Sequence, residues 1–212
     1  MQSKLIDADK KYSQNNGAGN LSANEIFSYH ELGSYVCLSA PHSTASFVRK
    51  GRKVSDLYTG AITEYVGEKY KYSYIVRNKF VPEKNLINDY ILRKGLEKHF
   101  FLDIHAMKDG NGFDLAVGTG YFPAERYASK IKKIEELCKK YRIFYVINDE
   151  NYTGRYGLTG RMQKDSGLAN ALQLEWRKGY RDIFNCFEKV EHSTIPFIAE
   201  LADFINKIYT DK

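Results

Sequence analysis

Residues 100–105 read Phe100-Phe101-Leu102-Asp103-Ile104-His105. An apolar run this short, closed by a histidine, predicts a buried strand whose last residue reaches the rim of a sheet. The pattern occurs again upstream. Tyr35-Val36-Cys37-Leu38-Ser39 is a second short apolar run, closed by Pro41 and ending at His42. Working outward, Tyr72–Val76, Phe113–Gly118, Ile143–Ile147 and Ala171–Trp176 carry the β-branched, aromatic and apolar residues of further strands. Helical spacing of apolar residues fills the intervals. It runs over Asp56–Lys69, Asn88–His99, Pro123–Tyr141 and Pro196–Tyr209. Strands alternating with helices predict an α/β domain with a mostly parallel central sheet flanked by helices on both faces. Residues 1–30, broken by Asn15-Asn16-Gly17-Ala18-Gly19-Asn20, read as an irregular lead-in, with a helix start at Ser22 and Glu25. No repeat and no linker rich in Pro or Ser divides the chain, so a single domain over 1–212 is expected.

Composition narrows the function. The 212 residues are 43% hydrophobic and 27% charged, which argues against a disordered chain. No run approaches the roughly 20 apolar residues of a membrane span, and no apolar leader core stands near the N-terminus. Cys37, Cys138 and Cys186 have no CxxC spacing, so reduced thiols in a cytoplasmic protein are expected. The net charge is +6, but the lysines of 130–140 alternate with Glu135 and Glu136 as on a solvated helix face. Neither nucleic acid nor membrane is an expected partner. A basic surface suits an anionic small molecule.

In an open parallel sheet, sites form beyond the carboxyl ends of the strands. His42 and His105 both stand there, and imidazoles at one rim are natural zinc ligands. Each is equally readable as a hydrogen-bonded loop residue. Asp56, at the start of a helix, can return to the same rim. Glu175 closes the apolar strand 171–176. It reads either as a general base acting on water or as the ion-pair partner of Arg177 or Arg181. Asp103 can accept the second ring N–H of His105. Arg77, after a strand, and Arg155, in the turn YTGRYGLTG, are candidate partners for a substrate carboxylate, or else surface residues. The glycines of that turn do not form a nucleotide-binding pattern, and no GxSxG elbow is present.

Taken together, the chain resembles the N-formylglutamate amidohydrolase family. The resemblance is carried by SAPHS at 39–43, Asp56 in SDLYTGAI, Arg77 after its strand, LDIHA at 102–106, DLAVGTG at 114–120, NDENYTGRYG at 148–157 and LQLEWRKGYRD at 172–182. These segments run in family order across about two-thirds of the 212 residues. The family is similar in fold to zinc carboxypeptidases and aspartoacylase, of the phosphorylase/hydrolase type. The resemblance implies a zinc-dependent hydrolase that cleaves the amide of an N-formyl or N-acyl amino acid. It implies zinc on His42, Asp56 and His105, and a general base at Glu175. Arg77, as an oxyanion or carboxylate partner, and Arg155 and Arg177 are then the expected cations for substrate. The alternative expectation is a non-catalytic domain of the same fold that binds an anionic ligand.

Overall fold

The computed structural model describes residues 1–48, 51–83 and 86–210. In chain order the elements are α1 (Gln2–Gly17), β1 (Phe27–His30), β2 (Val36–Ala40), β3 (Ser46–Val48), β4 (Gly51–Lys53), α2 (Thr59–Tyr70), β5 (Ser73–Arg77) and α3 (Leu86–Arg93). There follow β6 (Phe100–Ala106), β7 (Leu115–Gly118), α4 (Ala128–Tyr141), β8 (Tyr145–Ile147), α5 (Leu158–Ser166), β9 (Ala171–Trp176), α6 (Phe187–Lys189) and α7 (Ile195–Thr210). A π-helical stretch, Val190–Thr194, joins the last two. None of the described helices is long and apolar enough to cross a membrane.

Seven strands form the central sheet in the order β1-β5-β2-β6-β9-β7-β8. The middle four, β5, β2, β6 and β9, are parallel. β1 joins one side antiparallel to β5. β7 runs antiparallel to β9 and carries β8 parallel to itself. The expected mostly parallel α/β sheet is therefore present. Its continuous apolar strands are explained by burial on both faces.

One face holds the larger core. Val36, Leu38, Leu102, Ile104, Leu172, Leu174 and Trp176 pack there with α1, α2, α4 and α7. Alternation sends Cys37, Phe101 and Ala171 to the opposite face, under α3 and α5. That second face changes character along the strands, and the change positions the site.

Four expectations need correction. Residues 1–30 are not an irregular lead-in. Leu5, Ala8 and Tyr12 are buried at helical spacing, and α1 packs along α2. The chain then breaks at Gln14–Asn16, where Asn15 and Asn16 adopt positive φ. Ser22 and Glu25 do not start a helix. The Ser22 backbone N–H and hydroxyl both donate to Asn20 Oδ1 in a turn, and the chain enters β1, whose pairing with β5 covers that edge. The helix expected over 88–99 ends at Arg93, and the turn YTGRYGLTG expected around Arg155 runs at its end into α5.

Candidate active site

Across β2, β6 and β9 the second face reads in rungs. Cys37, Phe101 and Ala171 form an apolar rung beneath the helices. One step further along, Ser39 pairs with Asp103, and Asp103 with Gln173. One step beyond that, His105 pairs with Glu175. Five polar side chains thus replace apolar ones at the carboxyl ends of three parallel strands, all of them buried.

His105 is the centre of the cluster. Its Nε2 donates to Asp103 Oδ2 at 2.9 Å and its Nδ1 to Asp56 Oδ2 at 3.0 Å. Ser39 Oγ donates to the other Asp103 oxygen at 2.8 Å. Asp56 arrives from the turn before α2, where its backbone N–H donates to the His42 carbonyl at 2.7 Å. The His42 ring lies 5.1 Å from that of His105, centroid to centroid, and its Nδ1 shares a 2.6 Å hydrogen bond with Ser46 Oγ. Lys53 Nζ reaches Asp56 Oδ2 at 3.0 Å. Gln173 Nε2 donates to Glu175 Oε1 at 2.9 Å. Four residues widely separated in sequence, His42, Asp56, His105 and Glu175, are therefore brought to one end of the sheet.

The electrostatics follow from burial and charge. Burial favours neutral His105, but the Asp103 charge and the hydrogen bonds to Asp103 and Asp56 outweigh it and push its pKa up to about 10. Burial also disfavours ionised Asp56, yet the Lys53 charge and the hydrogen bond from His105 hold it well below the usual carboxylate range. Glu175 moves the other way. Its desolvation exceeds the attraction of His105, and its pKa is raised. His42 is held neutral, first by burial and then by the Lys53 charge.

The arginines separate by geometry. Arg77 is buried, donates from Nε to the Pro41 carbonyl at 3.0 Å, and lies 4.8 Å from the centroid of the Phe27 ring. Its backbone is tied through Ser43 Oγ to the turn that carries His42. Arg177 pairs with Asp114 at 2.9 Å. Arg155 is exposed in the turn before α5, with Nε donating to the Gly120 carbonyl at 3.3 Å. Arg181 does not pair with Glu175. It donates to the carbonyls of Trp176, Leu57 and Met107, which follow Glu175, Asp56 and His105 in sequence, and so ties three site segments together. Sequence reasoning missed Lys53, Ser46, Ser39 and Gln173. The last had a readable signal, because residue 173 shares a strand face with residue 175.

Two imidazoles and a carboxylate are a donor set that zinc accepts. Asp103 on His105 Nε2 is the support that ligating histidines ordinarily carry. The chemistry of His42, Asp56 and His105 thus fits a metal ion. Among the described residues, no group of three or more His, Cys, Asp and Glu side chains already stands in a metal-holding arrangement. The contacts explain this. Asp56 Oδ2, the atom a metal would take, is held by both His105 and Lys53.

The architecture, a mostly parallel seven-stranded α/β sheet, is one shared with several solved structures. Among solved structures, the chain is similar to an N-formylglutamate amidohydrolase from Ralstonia eutropha JMP134. The match has a TM-score of 0.54 and 12% identity, over 85% of this chain and 98% of that one. It is similar to a bacteriophage poly-gamma-glutamate hydrolase, with a TM-score of 0.53 and 13% identity over 90% and 91% of the two chains. It is also similar to a gene product of Agrobacterium tumefaciens, with a TM-score of 0.56 and 11% identity over 85% and 93%. At these identities the likeness is one of fold. No protein-family model and no curated protein sequence matches the chain.

Proposed function

We propose that the chain is a zinc-dependent amidohydrolase acting on a linear amide, with an N-formyl or N-acyl amino acid bearing a free carboxylate as substrate. The observation that carries this reading is the convergence of His42, Asp56, His105 and Glu175 at one end of the sheet. Zinc would be held by His42, Asp56 and His105, and when bound would supply Lewis-acid polarisation of the amide carbonyl and acidify water.

The chain's own residues do the rest. Asp103, fixed by Ser39, orients His105. Arg77 acts as a strut under the Pro41–His42 turn rather than as a substrate ligand, since Nε is committed to the Pro41 carbonyl. Gln173 steadies Glu175. Glu175 takes the proton of the attacking water and returns it to the leaving nitrogen, work for which a carboxyl pKa raised by desolvation is suited. Among the three candidate cations, Arg155 is the one left to receive a substrate carboxylate, because Arg177 is neutralised by Asp114.

The test is metal binding. His42→Ala and His105→Ala should each weaken zinc affinity by more than 100-fold relative to the parent, read by competition with a chromophoric chelator. Parent-like affinity in both variants would remove these histidines from the site. A protein that takes up no zinc and cleaves no N-acyl amino acid is the anion-binding domain of the alternative reading.

A further inference from the structure

The strands β3 and β4 form a two-stranded antiparallel unit at the mouth of the cluster, in which Ser46 pairs directly with Lys53. Both members of that rung grip a candidate zinc ligand. Ser46 Oγ holds His42 Nδ1 at 2.6 Å, and Lys53 Nζ holds Asp56 Oδ2 at 3.0 Å. The two contacts differ in kind. A hydroxyl on one imidazole nitrogen leaves the other nitrogen to a metal and orients the ring. An ammonium on a carboxylate oxygen occupies the atom a metal would take, and carries charge of the same sign as the metal.

The Asp56 side chain is only 4% exposed, and it cannot leave the cluster without breaking its bond to His105. The Lys53 side chain is 31% exposed and stands on a flexible stem, so it is the partner that can withdraw to water. We infer that Lys53 is a built-in rival of the metal ion for Asp56: ammonium and metal take the same carboxylate oxygen in turn, and Lys53 thereby sets the metal affinity of the site. This inference rests on the assignment of His42, Asp56 and His105 as metal ligands. It adds that the site is tuned toward weak, exchangeable binding by a residue of the chain itself.

The sign of the effect separates this role from a structural one. Losing a residue that merely shapes the site weakens metal binding. Losing a rival strengthens it. Zinc dissociation constants would be measured by chelator competition for the parent, Lys53→Met, Lys53→Arg and Ser46→Ala, with far-UV circular dichroism confirming that each is folded. Lys53→Met should bind zinc about tenfold more tightly, since one cation is removed from beside the ligand. Lys53→Arg, which keeps the charge, should stay within about threefold of the parent. Ser46→Ala, on the same rung, should bind more weakly, because His42 loses its orienting partner. General damage to β3 and β4 would move Lys53→Met and Ser46→Ala in the same direction. If Lys53→Met does not fold, Lys53→Gln replaces it with the same expected sign. Unchanged or weakened affinity in the neutral variant, with the parent binding zinc, overturns the inference and leaves the ligand assignment standing. Failure of both parent and neutral variant to bind zinc overturns the assignment itself, and the inference with it.

Discussion

Glu175 and His105 are direct partners on adjacent parallel strands, yet burial and charge move them oppositely. The imidazole is surrounded by carboxylates and keeps its protons, while the carboxyl of Glu175 is desolvated and binds a proton more readily than usual. A group so placed suits the proton-carrying role proposed for Glu175, and the consequence is measurable. Glu175→Gln keeps the shape and the neighbour Gln173 but removes the acceptor. It should bind zinc as the parent does and lose about 10²- to 10⁴-fold in kcat. Near-parental kcat at unchanged metal content would take Glu175 out of the chemistry. His42, His105 and Glu175 were legible in the sequence because each closes an apolar strand, where an ionisable group is conspicuous. Lys53 was not, because a lysine among lysines in a polar segment carries no signal until the backbone brings it against Asp56. For Arg77 the sequence position and the observed contacts point in different directions. Its position after a strand suggested a ligand-facing cation, whereas its guanidinium donates to the main chain.

At the scale of elements, the turn before α5 carries Arg155, the cation proposed for the substrate carboxylate. Gly118, at the end of β7, lies directly under this turn. A Cβ there would stand 2.6 Å from the Tyr152 carbonyl oxygen and the Thr153 carbonyl carbon, both backbone atoms that cannot yield without moving the turn. Gly118→Ala should therefore destabilise the protein by about 1–3 kcal/mol. It should raise KM for an acidic N-acyl amino acid more than for its neutral amide, with zinc affinity unchanged. Equal KM values for the two substrates in parent and variant would separate this turn from substrate binding. The strands were readable because burial on both faces demands continuous apolar runs, and α4 and α7 because their apolar stripes are wide. α1 was obscured by its run of lysines and by the asparagine-rich break that follows. β1 was obscured because an edge strand of four residues, with only Phe27 buried, leaves too short a pattern to register.

For the whole molecule, stability and function draw on different carboxylates. Asp9 is buried where α1 meets the start of α2. Desolvation outweighs its hydrogen bonds from Ser13 and the Tyr58 backbone and raises its pKa from 3.8 to about 6. The folded state then binds more protons than the unfolded one between these values. Stability falls as pH rises through that window, and above about pH 6 the ionised group is a net cost. Asp9→Asn should be more stable than the parent at pH 7.5 by about 1–3 kcal/mol in urea unfolding, with the gap closing near pH 4. A gap that is the same at both pH values would show that Asp9 does not titrate on folding.

The net charge of +6 and the cluster at the strand ends bear on the central claim, that this fold uses a metal ion to cleave the amide of an acidic N-acyl amino acid. The most direct measurement is the rate of hydrolysis of N-formyl- and N-acetylglutamate by chelator-treated protein as zinc is added back. The account predicts no detectable hydrolysis before addition and a rise that saturates near one equivalent of zinc per chain. Hydrolysis that survives the chelator unchanged, or none at any zinc concentration, would contradict it.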